Sequence, residues 1–264
     1  MKQILSGDPH RVWSLFVVGV GLLLVAVPAR AQSESTPDST GTCIACHRSP
    51  RFAVTHPKLF KYWLEFKASA HYRDGVSCVD CHGGNSDAPD AASAHRGILA
   101  PDSKKSPVYY DRISKTCGTC HSEIEAAYLT SRHAERLAEG KTAPNCVTCH
   151  GSVSAAAPSS ASIGAVCGEC HGISVDRPLN LVDRAIRVRR FQEMSQGYLT
   201  WLSRHDGEAL PTGRLTELRA EADSIKIAWH TFDLEGIEAA SQELLESLKE
   251  ARSTTHKTES KNPD

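Results

Sequence analysis

The chain is poor in the residues that usually fill a protein interior. Aromatic side chains make up only 6% of its 264 residues, while glycine and proline number 18 and 13. A core built from side chains alone would be thin, so something else must supply interior volume. An excess of charge is also missing: 30 Lys and Arg stand against 31 Asp and Glu. With no basic stripe, nucleic acid is excluded as a partner. Little of the sequence alternates with the period of a strand. Long apolar runs are absent except from Val12 to Val27, and this one falls short of the about 20 residues of a comfortable membrane span.

That single run sits where an export signal would. Lys2 and Arg11 make a basic leading region, and Ala29-Arg30-Ala31 supplies the small-x-small pattern of a cleavage site. The expectation is a leader over residues 1–31 and a mature chain from Gln32, periplasmic or otherwise exported, without a membrane span. An uncleaved anchor is the alternative. Cleavage would take formal charge from -1 to about -3, because Lys2, Arg11 and Arg30 leave with only Asp8.

Cysteine occurs in one pattern and nowhere else. The groups are Cys43-x-x-Cys46-His47, Cys78-x-x-Cys81-His82, Cys117-x-x-Cys120-His121, Cys146-x-x-Cys149-His150 and Cys167-x-x-Cys170-His171. This is the attachment signature of c-type haem. Two cysteines three positions apart share one face of a tight turn and can reach the two vinyl groups of one macrocycle as thioethers. The histidine that follows points at the iron as its proximal ligand. Zinc sites use Cys-x-x-Cys in twos, which five pairs do not fill, and need no histidine after each. A thioredoxin-like motif would occur once. A disulfide framework suits an exported chain but does not explain one spacing repeated five times before His. Five covalent haems c are therefore expected, and their macrocycles would supply the missing interior.

Five irons can take five further ligands. Met194 is the only methionine after the leader, so Met/His coordination could serve one haem at most. The remaining histidines are His56, His71, His95, His133, His205, His230 and His256, enough for bis-histidine iron throughout and hence low potentials. Four share a Ser-x-His pattern: Ser69-Ala70-His71, Ser93-Ala94-His95, Ser131-Arg132-His133 and Ser203-Arg204-His205. The first and third each lie shortly before a Cys-x-x-Cys-His group, as if one supersecondary unit were used more than once. His230 falls on the apolar flank of a predicted helix. His71, His95, His133 and His230 are the leading distal ligands, and His56 and His205 compete for the fifth place. His256 sits in a polar tail and is left out.

The expected fold is mainly α, with little regular structure around the haems and a helical hairpin after them. Residues 32–42 read as a polar lead-in and 43–178 as the pentahaem domain, with loops at 83–107 and 152–165 rich in Gly, Pro, Ser and Ala. Residues 179–252 read as helices packed on the haems. Asn180 to Ser203 is one, and Pro211 and Gly213 break it. Leu215, Leu218, Ala222, Ile225, Trp229 and Phe232 then recur with helical spacing, and Ile237, Leu244, Leu245 and Leu248 extend the stripe toward Arg252. A dimerising coiled coil is the alternative to the hairpin. Residues 253–264 read as a disordered tail.

The stretch from Trp63 to Gly84, with its Ser-x-His before Gly75-Val76-Ser77-Cys78-Val79-Asp80-Cys81-His82-Gly83, resembles the superfamily of pentahaem nitrite reductases, hydroxylamine oxidoreductase and related tetrahaem cytochromes. Tyr128-Leu129-Thr130-Ser131-Arg132-His133, followed by Cys146-Val147-Thr148-Cys149-His150-Gly151, is similar, as are the long C-terminal helices with a late histidine at His230. The resemblance implies closely packed haem pairs and electron transfer. One departure stands out: nitrite reductases of this group carry lysine in place of histidine at the catalytic haem, and no Cys-x-x-Cys-Lys occurs here.

The expected function is electron transfer among respiratory proteins: a quinol-linked donor, a terminal reductase or other cytochromes. A second reading is an oxidoreductase acting on a nitrogen or sulfur compound of the nitrite, hydroxylamine or tetrathionate type at one open haem, with Arg132 or Lys141 beside an anionic substrate. A third is a quinol-oxidising subunit anchored by its N-terminus, which the cleavage site argues against.

Overall fold

The computed structural model describes residues 41–172, 180–205 and 210–259. They lie within one compact unit, Thr36–Asp264. The expected leader, nearly all of the lead-in and residues 260–264 lie outside the described residues. Helices and loops make up the whole of what is described, with no strand.

From Gly41 to His171 the helices are short. They are α1 (Gly41–His47), α2 (Pro50–Thr55), α3 (Pro57–Ala68), α4 (Ala70–Arg73), α5 (Cys78–His82), α6 (Ala91–Ala94), α7 (Ile113–Gly118), α8 (Ser122–Leu129), α9 (Arg132–Ala138), α10 (Cys146–His150) and α11 (Ile163–His171). Every Cys-x-x-Cys-His group lies on one of them or, for the third, runs out of the end of α7. So brief a helix needs good ends, because its first amide protons and last carbonyls have no partners inside it. At α5 the Ser77 amide and hydroxyl both donate to the Asp80 carboxylate, at 2.7 and 2.9 Å. At α10 the Asn145 side chain accepts from the Val147 amide at 3.1 Å while Thr148 Oγ1 accepts from the Asn145 amide at 3.1 Å. Both helices stop at glycines in the left-handed region, Gly83 at φ 73° and Gly151 at φ 76°, a backbone that a side chain would strain.

The C-terminal third is three helices where the sequence predicts a hairpin. They are α12 (Leu181–His205), α13 (Arg214–Ala228) and α14 (Leu234–Glu259). The apolar stripe that begins at Leu215 does not run on as one helix. It tightens into a 3₁₀ turn at Trp229–Thr231, and Phe232 takes φ 59°. The Asp233 carboxylate then accepts from the Gly236 amide at 3.4 Å and opens α14. Val188, Leu199, Leu202, Leu218, Ala222, Ile225, Ile237, Leu244, Leu248 and Ala251 form the shared core, each large aliphatic side chain contributing roughly 1.5–3 kcal/mol by burial. The Glu238 carboxylate ties α14 to α12 through Arg187 Nε at 2.6 Å and Arg184 Nε at 2.9 Å. The Arg184 contact is an ion pair lying off the hydrogen-bonding direction.

The expected disordered tail is also corrected: α14 continues through residues 253–259. Thr255 explains the extension. It lies one turn past buried Ala251, is itself fully buried, and its hydroxyl donates to the Ala251 carbonyl.

The bundle packs on the second half of the preceding chain. Helix α12 lies against α11, and α13 and the 3₁₀ turn lie against α8. No helix among the described residues is long and apolar enough to cross a membrane.

Candidate haem-binding centre

Four of the five motif histidines face a second imidazole from elsewhere in the chain. The ring centroids are 6.2 Å apart for His47 and His95, 6.0 Å for His71 and His121, 6.0 Å for His133 and His171, and 6.1 Å for His150 and His230. The stacked pairs of the other two histidines sit closer: His205 lies on Trp201 at 4.3 Å and His56 on Phe52 at 4.6 Å. A first-row metal lies about 2.0 Å from an imidazole nitrogen, and the ring centre about 1.1 Å further on, so two trans imidazoles on one metal set their centroids about 6.2 Å apart. The four pairs fit an iron between them.

Each ring that faces a motif histidine is delivered by a local device. Ser69 caps α4, its hydroxyl accepting from the Tyr72 amide, and His71 follows in the first turn. Ser131 caps α9 in the same way, accepting from the Ala134 amide, and places His133. His95 ends α6, which Asp90 rather than Ser93 caps. His230 sits in the 3₁₀ turn. The last two share a further trait. His95 Nδ1–H donates to the Ala91 carbonyl at 2.8 Å and His230 Nδ1–H to the Lys226 carbonyl at 3.0 Å. A carbonyl can only accept, so the proton is on Nδ1 and the lone pair of Nε2 is left for a metal.

Electrostatics favour the neutral rings that a metal requires. Burial lowers the pKa of His47, His82, His150 and His230; the charge of His95 adds to the effect at His47 and that of His230 at His150. Burial pushes the Cys78 and Cys149 thiols up to about 11 and raises Cys81 and Cys167 too. Cys117 and Cys146 share a hydrogen bond that raises the first and lowers the second.

The thiols also show which motifs are neighbours. Cys78 feels the charge of Cys43, Cys81 that of Cys117 and Cys120, Cys117 bonds Cys146, and Cys149 feels Cys167. Helix α10, which carries the fourth motif, packs on α7 and α11, which carry the third and the fifth.

His82 differs from the other four. Among the described residues no aromatic or imidazole ring makes a contact with it. Neither contender for the fifth place is brought to it. His56 lies on one side of Phe52, whose ring also contacts His47 at 4.5 Å, and its Nδ1 is 2.8 Å from Thr55 Oγ1. His205 is at the exposed end of α12, with Nδ1–H donated to the Trp201 carbonyl at 2.8 Å. Met194 is also exposed. Arg132 and Lys141 are each engaged with a glutamate, Glu135 and Glu139.

Residues 45–139 match the family model described as Cytochrome c552. The match supports a multihaem cytochrome c. Haem, iron and electron transport come with it. The matched stretch runs from within the first motif through the third and includes His56, His71, His95 and His133. The fourth and fifth motifs lie beyond it, where the pairing of His150 with His230 and of His133 with His171 gives the same geometry. No solved structure matches the chain.

Several residues that shape the centre escaped the sequence reading. Phe232 places its ring edge-on to His133 at 4.4 Å. Buried Tyr128 donates to the Pro144 carbonyl at 2.9 Å, and Tyr110 donates to the Ala143 carbonyl at 3.0 Å. Asn145 Nδ2 donates to the Tyr110 carbonyl at 2.7 Å. Together they fix the segment that leads into the fourth motif. An asparagine directly before Cys146 is a capping signal that could have been read; the tyrosines gave none.

Proposed function

We propose that the chain is an exported, periplasmic pentahaem c-type cytochrome that passes electrons between respiratory donor and acceptor proteins, a quinol-linked donor on one side and a terminal reductase or another cytochrome on the other. The observation that carries this reading is the set of four imidazole pairs at 6.0–6.2 Å, each joining a motif histidine to one from outside the motifs. His47, His82, His121, His150 and His171 serve as proximal ligands, and His95, His71, His133 and His230 as distal ligands of the first, third, fifth and fourth motifs. The cysteine pairs hold the five groups as thioethers. Bound haem iron supplies one-electron chemistry, cycling between ferric and ferrous states. The chain's part is to fix the order of the centres, to keep the imidazoles neutral and to bury them, and paired histidines in place of methionine hold the potentials low.

A second reading has one observation in its favour. Among the described residues no imidazole faces His82 as one faces each of the other four motif histidines, an arrangement that an oxidoreductase with one reactive haem would require.

Intact mass of protein matured in a host that attaches haem c tests the main reading. Five haems per chain are expected, with low-spin bis-histidine signals dominating the electron paramagnetic resonance spectrum of the oxidised protein. A bare polypeptide mass would overturn it.

A further inference from the structure

We propose that Arg189, with the amide of Gln192 beside it, receives a propionate carboxylate of the haem at the fourth motif and raises the potential of that centre. This rests on the pentahaem reading and adds an anion site on α12, outside all five motifs.

Arg189 lies in the first half of α12, where the helix meets the loop that follows the fourth motif. That loop is tied down at His150. The His150 carbonyl accepts from the Ala156 amide at 3.0 Å and from the Ser154 hydroxyl at 3.1 Å. Two residues beyond Ala156, the Pro158 carbonyl accepts from Arg189 Nε at 3.0 Å. Two residues further, the Ser160 amide and hydroxyl both donate to Glu193, one turn along α12 from Arg189. The guanidinium is therefore held in place a short, fastened loop away from His150. Its charge is felt there and adds to the lowering of the His150 pKa.

This half-buried cation is bonded to neutral groups. Nη1 donates to Gln192 Oε1 at 2.5 Å, and Nε is taken by Pro158. Neither acceptor offsets the charge. The Glu193 carboxylate lends some negative field, but each of its oxygens already accepts from Ser160. Burial makes the arrangement costly and lowers the pKa of Arg189 itself. Gln192 adds a second donor: its Oε1 is occupied by Arg189, while its Nε2 is buried without an acceptor among the described residues. Two side chains one turn apart thus offer N–H groups and a net positive charge beside the fourth motif. An anionic acceptor with two oxygens suits them. A haem propionate is such a group, and the haem at the fourth motif brings two.

The charge acts in one direction. Ferric haem is more positive than ferrous haem by one unit, so a guanidinium alongside disfavours the ferric state and raises the potential. The fourth centre then holds an electron more firmly than His150 and His230 alone would make it.

The test uses the full-length holoprotein after its mass has shown five haems; a lower count would fail the pentahaem reading itself and not this inference. Potentiometric titration followed by electron paramagnetic resonance gives the potential of each low-spin iron. The signal that His230→Ala abolishes marks the fourth centre. Arg189→Gln keeps a donor for Pro158 and loses the charge, and it should lower the potential of the fourth centre by more than that of any other. Arg189→Lys keeps the charge and should recover most of the shift, which a merely structural role would not predict. Gln192→Glu sets a carboxylate in competition with the propionate for the same guanidinium. It should lower the same potential, and it carries the test if Arg189→Gln does not fold. An unchanged fourth potential in Arg189→Gln or Gln192→Glu, a larger shift at another centre, or Arg189→Lys no better than Arg189→Gln would overturn the proposal.

Discussion

Asn145→Ala is expected to destabilise the holoprotein by about 2–4 kcal/mol, a figure that follows from two separate contacts of a nearly buried side chain. Its Oδ1 caps α10 through the Val147 amide, and losing a cap costs about 1 kcal/mol. Its Nδ2 donates to the Tyr110 carbonyl at 2.7 Å, and leaving such an acceptor without its donor costs roughly 1–3 kcal/mol. Two milder variants separate the contacts. Asn145→Ser keeps a capping oxygen and loses only the Tyr110 contact, so it should recover about 1 kcal/mol relative to alanine. Asn145→Asp also keeps the cap but sets a carboxylate against the carbonyl, and it should recover less than serine. Denaturant unfolding followed by circular dichroism measures all three, with haem content checked by mass. The reasoning fails if serine is no better than alanine, or if aspartate matches the parent, because the cap or the Tyr110 contact would then contribute nothing. The effect should also reach the haem site, since α10 presents Cys146, Cys149 and His150 and Asn145 supplies one half of its capping box.

Other outcomes follow from the same geometry. His230→Ala should convert the fourth centre to a high-spin iron, seen by electron paramagnetic resonance; an unchanged spectrum would remove His230 from the ligand set. Leu248→Ala empties a fully buried position between α14 and α12. It should lower stability by about 2–5 kcal/mol in thermal or denaturant unfolding, with the haem count unaltered. Glu193 accepts from the Ser160 hydroxyl and amide at 2.6 and 2.7 Å, and these bonds hold its carboxyl below the ordinary value. A lowered folded pKa means the contribution is present above the unfolded value of about 4.3 and is lost as pH falls through the folded one. Glu193→Gln should therefore flatten the acid limb of the stability curve. At neutral pH it should cost under about 1 kcal/mol, because the site is mostly exposed.

The Cys-x-x-Cys-His groups and the four histidines that pair with them stood out in the sequence because their signals are local and chemical. Cys-x-x-Cys-His names its own use, and the shortage of methionine leaves histidine as the other ligand. The Ser-x-His pattern was only half informative. At Ser69 and Ser131 the serine is a helix cap that aims the histidine. At Ser93 the cap is Asp90, and at Ser203 the serine lies within α12 and bonds back to the Leu199 carbonyl. Four matching tripeptides thus hide two physical arrangements. His205 shows the limit most clearly. Its Nδ1–H is fixed to a carbonyl as in His95 and His230, and its neighbours in sequence look right, yet it is carried to the far end of a 25-residue helix. Where a helix end travels depends on packing between α12 and α14, which no short motif encodes. The break at Trp229–Asp233 was missed for a similar reason. The apolar spacing runs on through it, and only the left-handed Phe232 shows that the chain has turned.

The three other imidazole pairs close within the chain up to His171, but His150 must wait for a ring that arrives with the last helices. The fourth iron would therefore report on tertiary structure at a distance. Partial melting of the C-terminal bundle would change its colour and spin while its neighbours stayed as they were, giving the folding of this molecule a built-in optical gauge.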